Sequence, residues 1–177
     1  FNKKIKKILI IQGGSDPHKN LNKIYQNIKK LISNEKSIIF HFHLGVRKNN
    51  DYVVKFFTKR KKMHNNLYFS YNIQNISKII KNSDLAVTAC GSFALDLIYS
   101  KVPSIYVTNE NKEMHTAKIF DKLSLGIYYG KIKNNKKDRL IYCLNFLLSN
   151  YEKRLKVYKT MNKFSFKNSK KYFLKLI

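Results

Sequence analysis

The chain has 177 residues, 44% of them hydrophobic and 26% charged, which fits one globular domain and excludes wholesale disorder, a collagen-like chain and a disulfide mini-protein. Lys and Arg number 36 against 10 Asp and Glu, for a net charge of +26, yet only 4 of the 36 are Arg. Lys, Asn and Ile all come from A/T-rich codons, so the excess reads as compositional bias; a dedicated nucleic-acid surface would draw more on Arg, whose planar fork suits phosphate and guanine.

Taken in order, Lys4–Gln12 reads as a strand that stops at Gly13-Gly14, and Lys19–Ser33 as a helix with Leu21, Ile24, Ile28, Leu31 and Ile32 at helical spacing. Ser37–Leu44 is a strand ending at Gly45, Asp51–Lys61 a helix and Asn66–Tyr71 a short strand. Ile73, Ile76, Ile79 and Ile80 place a helix over Ile73–Lys81. A buried strand (Asp84–Ala89), a helix (Ser92–Ser100), a strand (Pro103–Val107), a helix (Lys112–Leu123) and a strand (Gly126–Tyr129) follow. Lys137–Leu148 and Tyr151–Lys171 read as closing helices.

Strands alternating with helices of about ten residues predict βαβ units. The expected fold is α/β, a doubly wound, parallel, six-stranded Rossmann-like sheet with C-terminal helices. Residues 1–150 form the domain and residues 151–177 a basic helix. No apolar run is long enough to span a membrane, no signal peptide is legible, and a cytoplasmic location is expected. The start at Phe1 suggests a piece of a longer chain. Cys90 and Cys143 show no metal spacing and read as reduced, buried thiols. No cofactor is expected.

Ligands on such sheets lie beyond the carboxyl ends of the strands. Two strand–Gly–helix junctions stand there. In Gln12-Gly13-Gly14-Ser15-Asp16-Pro17 the glycines admit a close anion and a helix N-terminus adds free N–H donors; Ser15 or Asp16 also suits a helix cap. The segment is neither GxGxxG nor a P-loop. In Asp84–Asp96 (DLAVTACGSFALD) a buried strand runs into Gly91-Ser92, and Asp96 sits one turn into the helix, placed for a ribose diol. The loop Thr108–Lys112 shares this edge. His18 lies beside the first glycine loop, whereas His41 and His43 alternate on a strand face as partly buried spacers. No nucleophile–base or paired-carboxylate arrangement is apparent.

Together, ILIIQGGSDPHKNL and NIQNISKIIKNSDLAVTACGSFALDLIYSKVPSIYV resemble the C-terminal domain of the UDP-sugar hydrolases of pseudaminic acid biosynthesis. More broadly they are similar to the C-terminal half of GT-B glycosyltransferases, over roughly residues 5–130. The resemblance implies a UDP-sugar as partner. It implies diphosphate contacts from Gly13, Gly14, Ser15, Gly91 and Ser92, ribose contacts from Asp96, base contacts from Tyr71, Asn72 and Ile73, and sugar or phosphate contacts from Asp16, His18, Asn111 and Lys112. The chain departs from the pattern where Asp96 replaces a usual Glu, Cys90 a Gly and Lys112 a Gln. It also implies an N-terminal partner domain that carries the acceptor contacts and the catalytic base, with the last helix and its Phe164, Phe166, Tyr172 and Phe173 packing on it. The reaction expected of the full protein is UDP-sugar hydrolysis, with sugar transfer for surface polysaccharide as the alternative. A polyanion-binding module driven by charge, or a remnant that binds nothing, are the non-enzymatic readings. No specific nucleic acid is expected; a loose attraction to anionic membrane surfaces is.

Overall fold

The computed structural model describes residues 1–14, 16, 18–45, 51–132 and 137–163. Six parallel strands form one sheet in the order β3-β2-β1-β4-β5-β6. They are β1 (Lys7–Ile11), β2 (Ile39–Leu44), β3 (Leu67–Tyr71), β4 (Leu85–Thr88), β5 (Ser104–Thr108) and β6 (Ile127–Lys131). The helices are α1 (Asn20–Asn34), α2 (Asp51–Lys61), α3 (Ile76–Lys81), α4 (Ser92–Tyr99), α5 (Asn111–Lys122), α6 (Lys137–Ser149) and α7 (Tyr151–Lys163). The expected doubly wound architecture is the one observed. Strand order reverses between β1 and β4, and the crevice that this reversal opens is where such sheets take ligands.

The alternation of side chains along β1 explains the two layers. Ile8 and Ile10 pack into the larger core with Leu21, Ile24 and Ile28 of α1, Phe56 and Phe57 of α2, and Leu140, Leu144 and Leu147 of α6. Leu9 and Ile11 face the other way, onto Ile80 of α3 and Leu97 of α4. Each fully buried aliphatic or aromatic side chain here contributes about 1.5–3 kcal/mol.

Polar groups fix the ends of the strands. Asp84, at the mouth of β4, accepts from the Lys6 and Lys7 amides at 2.8 and 3.0 Å and from Asn2 Nδ2 at 2.7 Å, which sets β1 in register beside β4. Arg154 of α7 is fully buried, and its guanidinium donates to the Leu147 and Leu148 carbonyls at the end of α6 and to the Lys3 carbonyl.

One expectation needs correction. Helix α3 begins at Ile76 instead of Ile73, because Asn72 turns the chain at φ 50° and the Asn75 side chain caps the helix by accepting from the Lys78 amide. Ile73 is therefore exposed and belongs to the loop, not to the apolar face of α3. Helix α7 is described to Lys163; residues 164–171 of the expected helix, with Phe164 and Phe166, and Tyr172 and Phe173 beyond it, lie outside the described residues. Within its described length, α7 buries Val157 and Met161 against Ile98 and Leu125 of this same domain.

Candidate functional site

At the carboxyl end of the sheet a cleft of about 210 Å³ opens between the segments after β1, β4 and β5. Its lining includes Gln12, Gly13, Gly14, Asp16, His18 and Asn20 from the first, Ala89 from the second, and Asn109, Glu110 and Glu113 from the third. The first glycine loop is shaped by its backbone. Gly13 sits at φ +76°, where an L side chain is strained. A Cβ on Gly45, after β2, would stand 2.5 Å from Gly14 Cα, so the two loops touch backbone to backbone.

The N-terminus of α1 is capped, one of the two readings that the sequence left open. Asp16, at φ 39°, turns its carboxylate back so that Oδ1 accepts from the Asn20 amide at 2.7 Å and Oδ2 from the Leu21 amide at 2.9 Å. Of the two capping options left open by the sequence, this is the one the structure describes; Ser15 and Pro17 lie outside the described residues. Burial pushes the Asp16 carboxyl up to about 6, although the two amides and the charges of Lys23 and His18 pull the other way. Desolvation outweighs the hydrogen bonds at this position.

The second junction is open. Gly91 caps α4 without a side chain, a Cβ there would meet nothing within 4 Å, and Ser92 is exposed. No side chain caps the start of α4, where the Ala94 amide donates to the Gly91 carbonyl at 3.0 Å and the positive end of the helix dipole lies. Asp96 is exposed on α4, four residues or about 6 Å beyond Ser92, and does not line the cleft. Burial drives the adjoining Cys90 thiol up to about 12, with Glu113 adding to the effect, so it is inert as a nucleophile at neutral pH.

Tyr71, Asn72 and Ile73 are exposed where β3 ends. Three strand spacings, about 14 Å, separate β3 from β4, so these residues and Gly91 mark the ends of an elongated strip. Asn111 and Lys112 are exposed in the first turn of α5 and are absent from the cleft lining. That lining instead takes their neighbours Glu110 and Glu113, the latter accepting from the Asn109 amide at 3.2 Å. His18 and Glu110 approach to 3.8 Å across the cleft mouth.

The sequence pointed to the segments that carry Gln12 and, after β5, Asn109 and Glu110 without assigning those three residues a contact, and it did not single out Asn20 or Glu113. The Glu110/Glu113 spacing, one helical turn at a predicted helix start, was the available signal. His41 and His43 share Ser70, with His41 Nε2 at 2.7 Å and His43 Nδ1 at 2.9 Å from its hydroxyl. Burial lowers both imidazoles, His41 to about 4 with Lys7 and His43 contributing. No group of three or more His, Cys, Asp or Glu arranged to hold a metal occurs among the described residues.

Residues 8–176 match the glycosyltransferase family 28 C-terminal domain. The chain belongs to that family. Among curated relatives, it is 34% identical over 122 residues to UDP-N-acetylglucosamine--N-acetylmuramyl-(pentapeptide) pyrophosphoryl-undecaprenol N-acetylglucosamine transferase of Finegoldia magna, covering 66% of this chain and 32% of that protein. It is 26% identical over 104 residues to the uncharacterized protein MJ1062 of Methanocaldococcus jannaschii, covering 59% of this chain and 21% of that one. The family 28 chain thus spans a third or less of these relatives. Its fold is shared with a putative UDP-N-acetylglucosamine 2-epimerase from Listeria monocytogenes, at TM-score 0.68, 14% identity and coverage of 96% and 44%. It is shared also with the glycotransferase of kitacinnamycin, at TM-score 0.63, 13% identity and coverage of 92% and 41%. No helix among the described residues is long and apolar enough to cross a membrane.

Proposed function

We propose that this family 28 domain is the UDP-sugar-binding half of a two-domain GT-B enzyme. The observation that carries the reading is the open Gly91–Ser92 start of α4, set at the β1/β4 reversal opposite the Gly13–Gly14 turn. A diphosphate lies against the Ser92 and Phe93 amides at the start of α4, where each hydrogen bond to a charged oxygen is among the stronger kind. Gly13, Gly14 and Ser15 close on it from the β1 side, Asp96 accepts from the ribose hydroxyls, and the backbone of Tyr71, Asn72 and Ile73 meets the base. Asn111, Lys112 and His18 stand at the sugar and phosphate end. Asp16 serves there by holding the glycine turn through its cap on α1.

In the reaction the bond between the anomeric carbon and the β-phosphate oxygen breaks, the oxygen leaves with UDP, and an acceptor oxygen bonds to the sugar. The part assigned to this chain is to hold the donor and to stabilise the charge that develops on the departing diphosphate. The acceptor site and the base that deprotonates it are assigned to a second domain, on which the outer face of α7 packs.

Sugar transfer to a hydroxyl acceptor is the favoured reaction, because the related curated protein of known activity is a transferase. Water as acceptor, as in a UDP-sugar hydrolase of nonulosonic acid synthesis, is the second reading, favoured by the GGSDP turn and the Asn-rich approach to α3. A cytoplasmic location goes with either.

The test is calorimetric titration of the 177-residue chain with UDP, CMP and a short DNA duplex at two salt concentrations. Saturable UDP binding that exceeds CMP and survives added salt is expected. Binding to DNA alone, lost as salt rises, would replace this reading with that of a polyanion-binding module.

A further inference from the structure

The cleft between β1, β4 and β5 has the opposite charge to the molecule around it. The whole chain carries ten acidic residues against 36 basic ones. Three of the ten, Asp16, Glu110 and Glu113, line this one cleft, and no Lys or Arg does among its described lining residues. A diphosphate in this cleft would face like charge; the uncapped α4 start next to it would not repel one.

A second observation is independent of the carboxylates. Gln12 and Asn20 also line the cleft and are only 4% and 3% exposed. Asn20 Nδ2 donates to Gln12 Oε1 at 3.3 Å, which leaves Gln12 Nε2 and Asn20 Oδ1 buried without a partner. Exchanging N and O in both amides preserves the mutual bond and again leaves one donor and one acceptor. An unpaired buried pair of this kind carries an uncompensated desolvation cost until something answers it. A ligand group that both gives and accepts hydrogen bonds would do so.

Resting on the reading of this edge as a nucleotide-sugar site, we propose that the cleft holds the sugar ring and selects one that carries a free, protonated amine beside a hydroxyl. The volume of about 210 Å³ suits a single ring and not a whole nucleotide sugar. The ammonium donates to Glu113, to Glu110 and to the acceptor left on the Gln12–Asn20 pair. The donor left on that pair meets the oxygen of the neighbouring hydroxyl. Acetylation removes the charge and two of the three donors, and a carboxylated sugar is repelled.

The experiment titrates the chain with UDP, UDP-glucose, UDP-glucosamine and UDP-N-acetylglucosamine. UDP-glucosamine is expected to bind about tenfold more tightly than UDP-glucose and than the acetylated sugar, as suits one charge-assisted contact. In Glu113→Gln, which keeps an acceptor for the Asn109 amide, the ratio of UDP-glucosamine to UDP affinity is expected to fall by about the same factor. Equal binding of the three sugars, or preference for the acetylated one, would overturn the inference while leaving UDP binding intact. Failure of UDP itself to bind would instead overturn the reading of the site, and this inference with it.

Discussion

The β1–α1 and β4–α4 junctions share a strand, a glycine turn and a helix, and they differ in what answers the helix amides. At the first, Asp16 supplies its own carboxylate to the Asn20 and Leu21 amides. At the second, Gly91 supplies no side chain, only its carbonyl, which accepts from the Ala94 amide at 3.0 Å. Two segments that look alike in sequence thus have different chemistry: one is an internally neutralised cap that keeps a loop in shape, and the other is a helix start without a side-chain cap.

The sharpest way to break the contrast is to make the second junction resemble the first. Gly91→Asp introduces an N-cap carboxylate at a position with ordinary φ and open space for Cβ. It is expected to weaken UDP by about tenfold or more while raising the melting temperature, since an N-cap Asp favours the helix it caps. A stabilised domain with unchanged UDP affinity would show that the diphosphate does not use α4.

The converse change empties the first junction. Asp16→Ala is expected to lower stability by about 1–2 kcal/mol in chemical denaturation, through the loss of two amide partners. Asp16→Asn separates shape from charge. Because the folded carboxyl titrates at about 6 against 3.8 in the unfolded chain, its contribution to stability is full below pH 3.8 and is lost as pH rises through about 6. His41 acts with the opposite sign, its stabilisation being lost as pH falls from 6.5 through about 4. The two slopes oppose each other between pH 4 and 6 in the native protein. In Asp16→Asn the opposing slope is removed, leaving His41 with the likewise lowered His43 and His64, and stability measured across that window is expected to rise with pH more steeply than in the parent chain.

The smallest effect is expected from His18→Ala. The pair with Glu110 is solvent-exposed on both sides, at 48% and 62%, and an exposed pair at 3.8 Å contributes well under 1 kcal/mol. A melting temperature shifted by more than about 3 °C would mean that this contact helps to hold the mouth of the cleft.

The strands were legible because a parallel sheet buried on both faces asks for unbroken apolar runs, and KILII, LAVT and SIYVT are such runs. The two glycine junctions were legible for the same local reason, each being punctuation between a run and a periodic segment. What misled was also local: Ile73 stands at helical spacing from Ile76, but Asn72 in the left-handed region and the Asn75 cap decide where α3 starts. The acidic lining was not legible at all as a unit. Gln12, Asn20 and Glu113 meet only because β1, β4 and β5 lie side by side in the sheet, and that neighbourhood is a property of strand order, which no short window of sequence contains.

Arg154 has a kinetic consequence. Its bond to the Lys3 carbonyl closes a loop of 151 residues with a single side chain, while its bonds to Leu147 and Leu148 fasten the helix pair at the other side of that closure. Loop-closure entropy must be overcome before so distant a contact gains anything, so this one forms late in folding. The first strand's approach and the last described helix therefore fray together or not at all, as a single cooperative unit in hydrogen exchange.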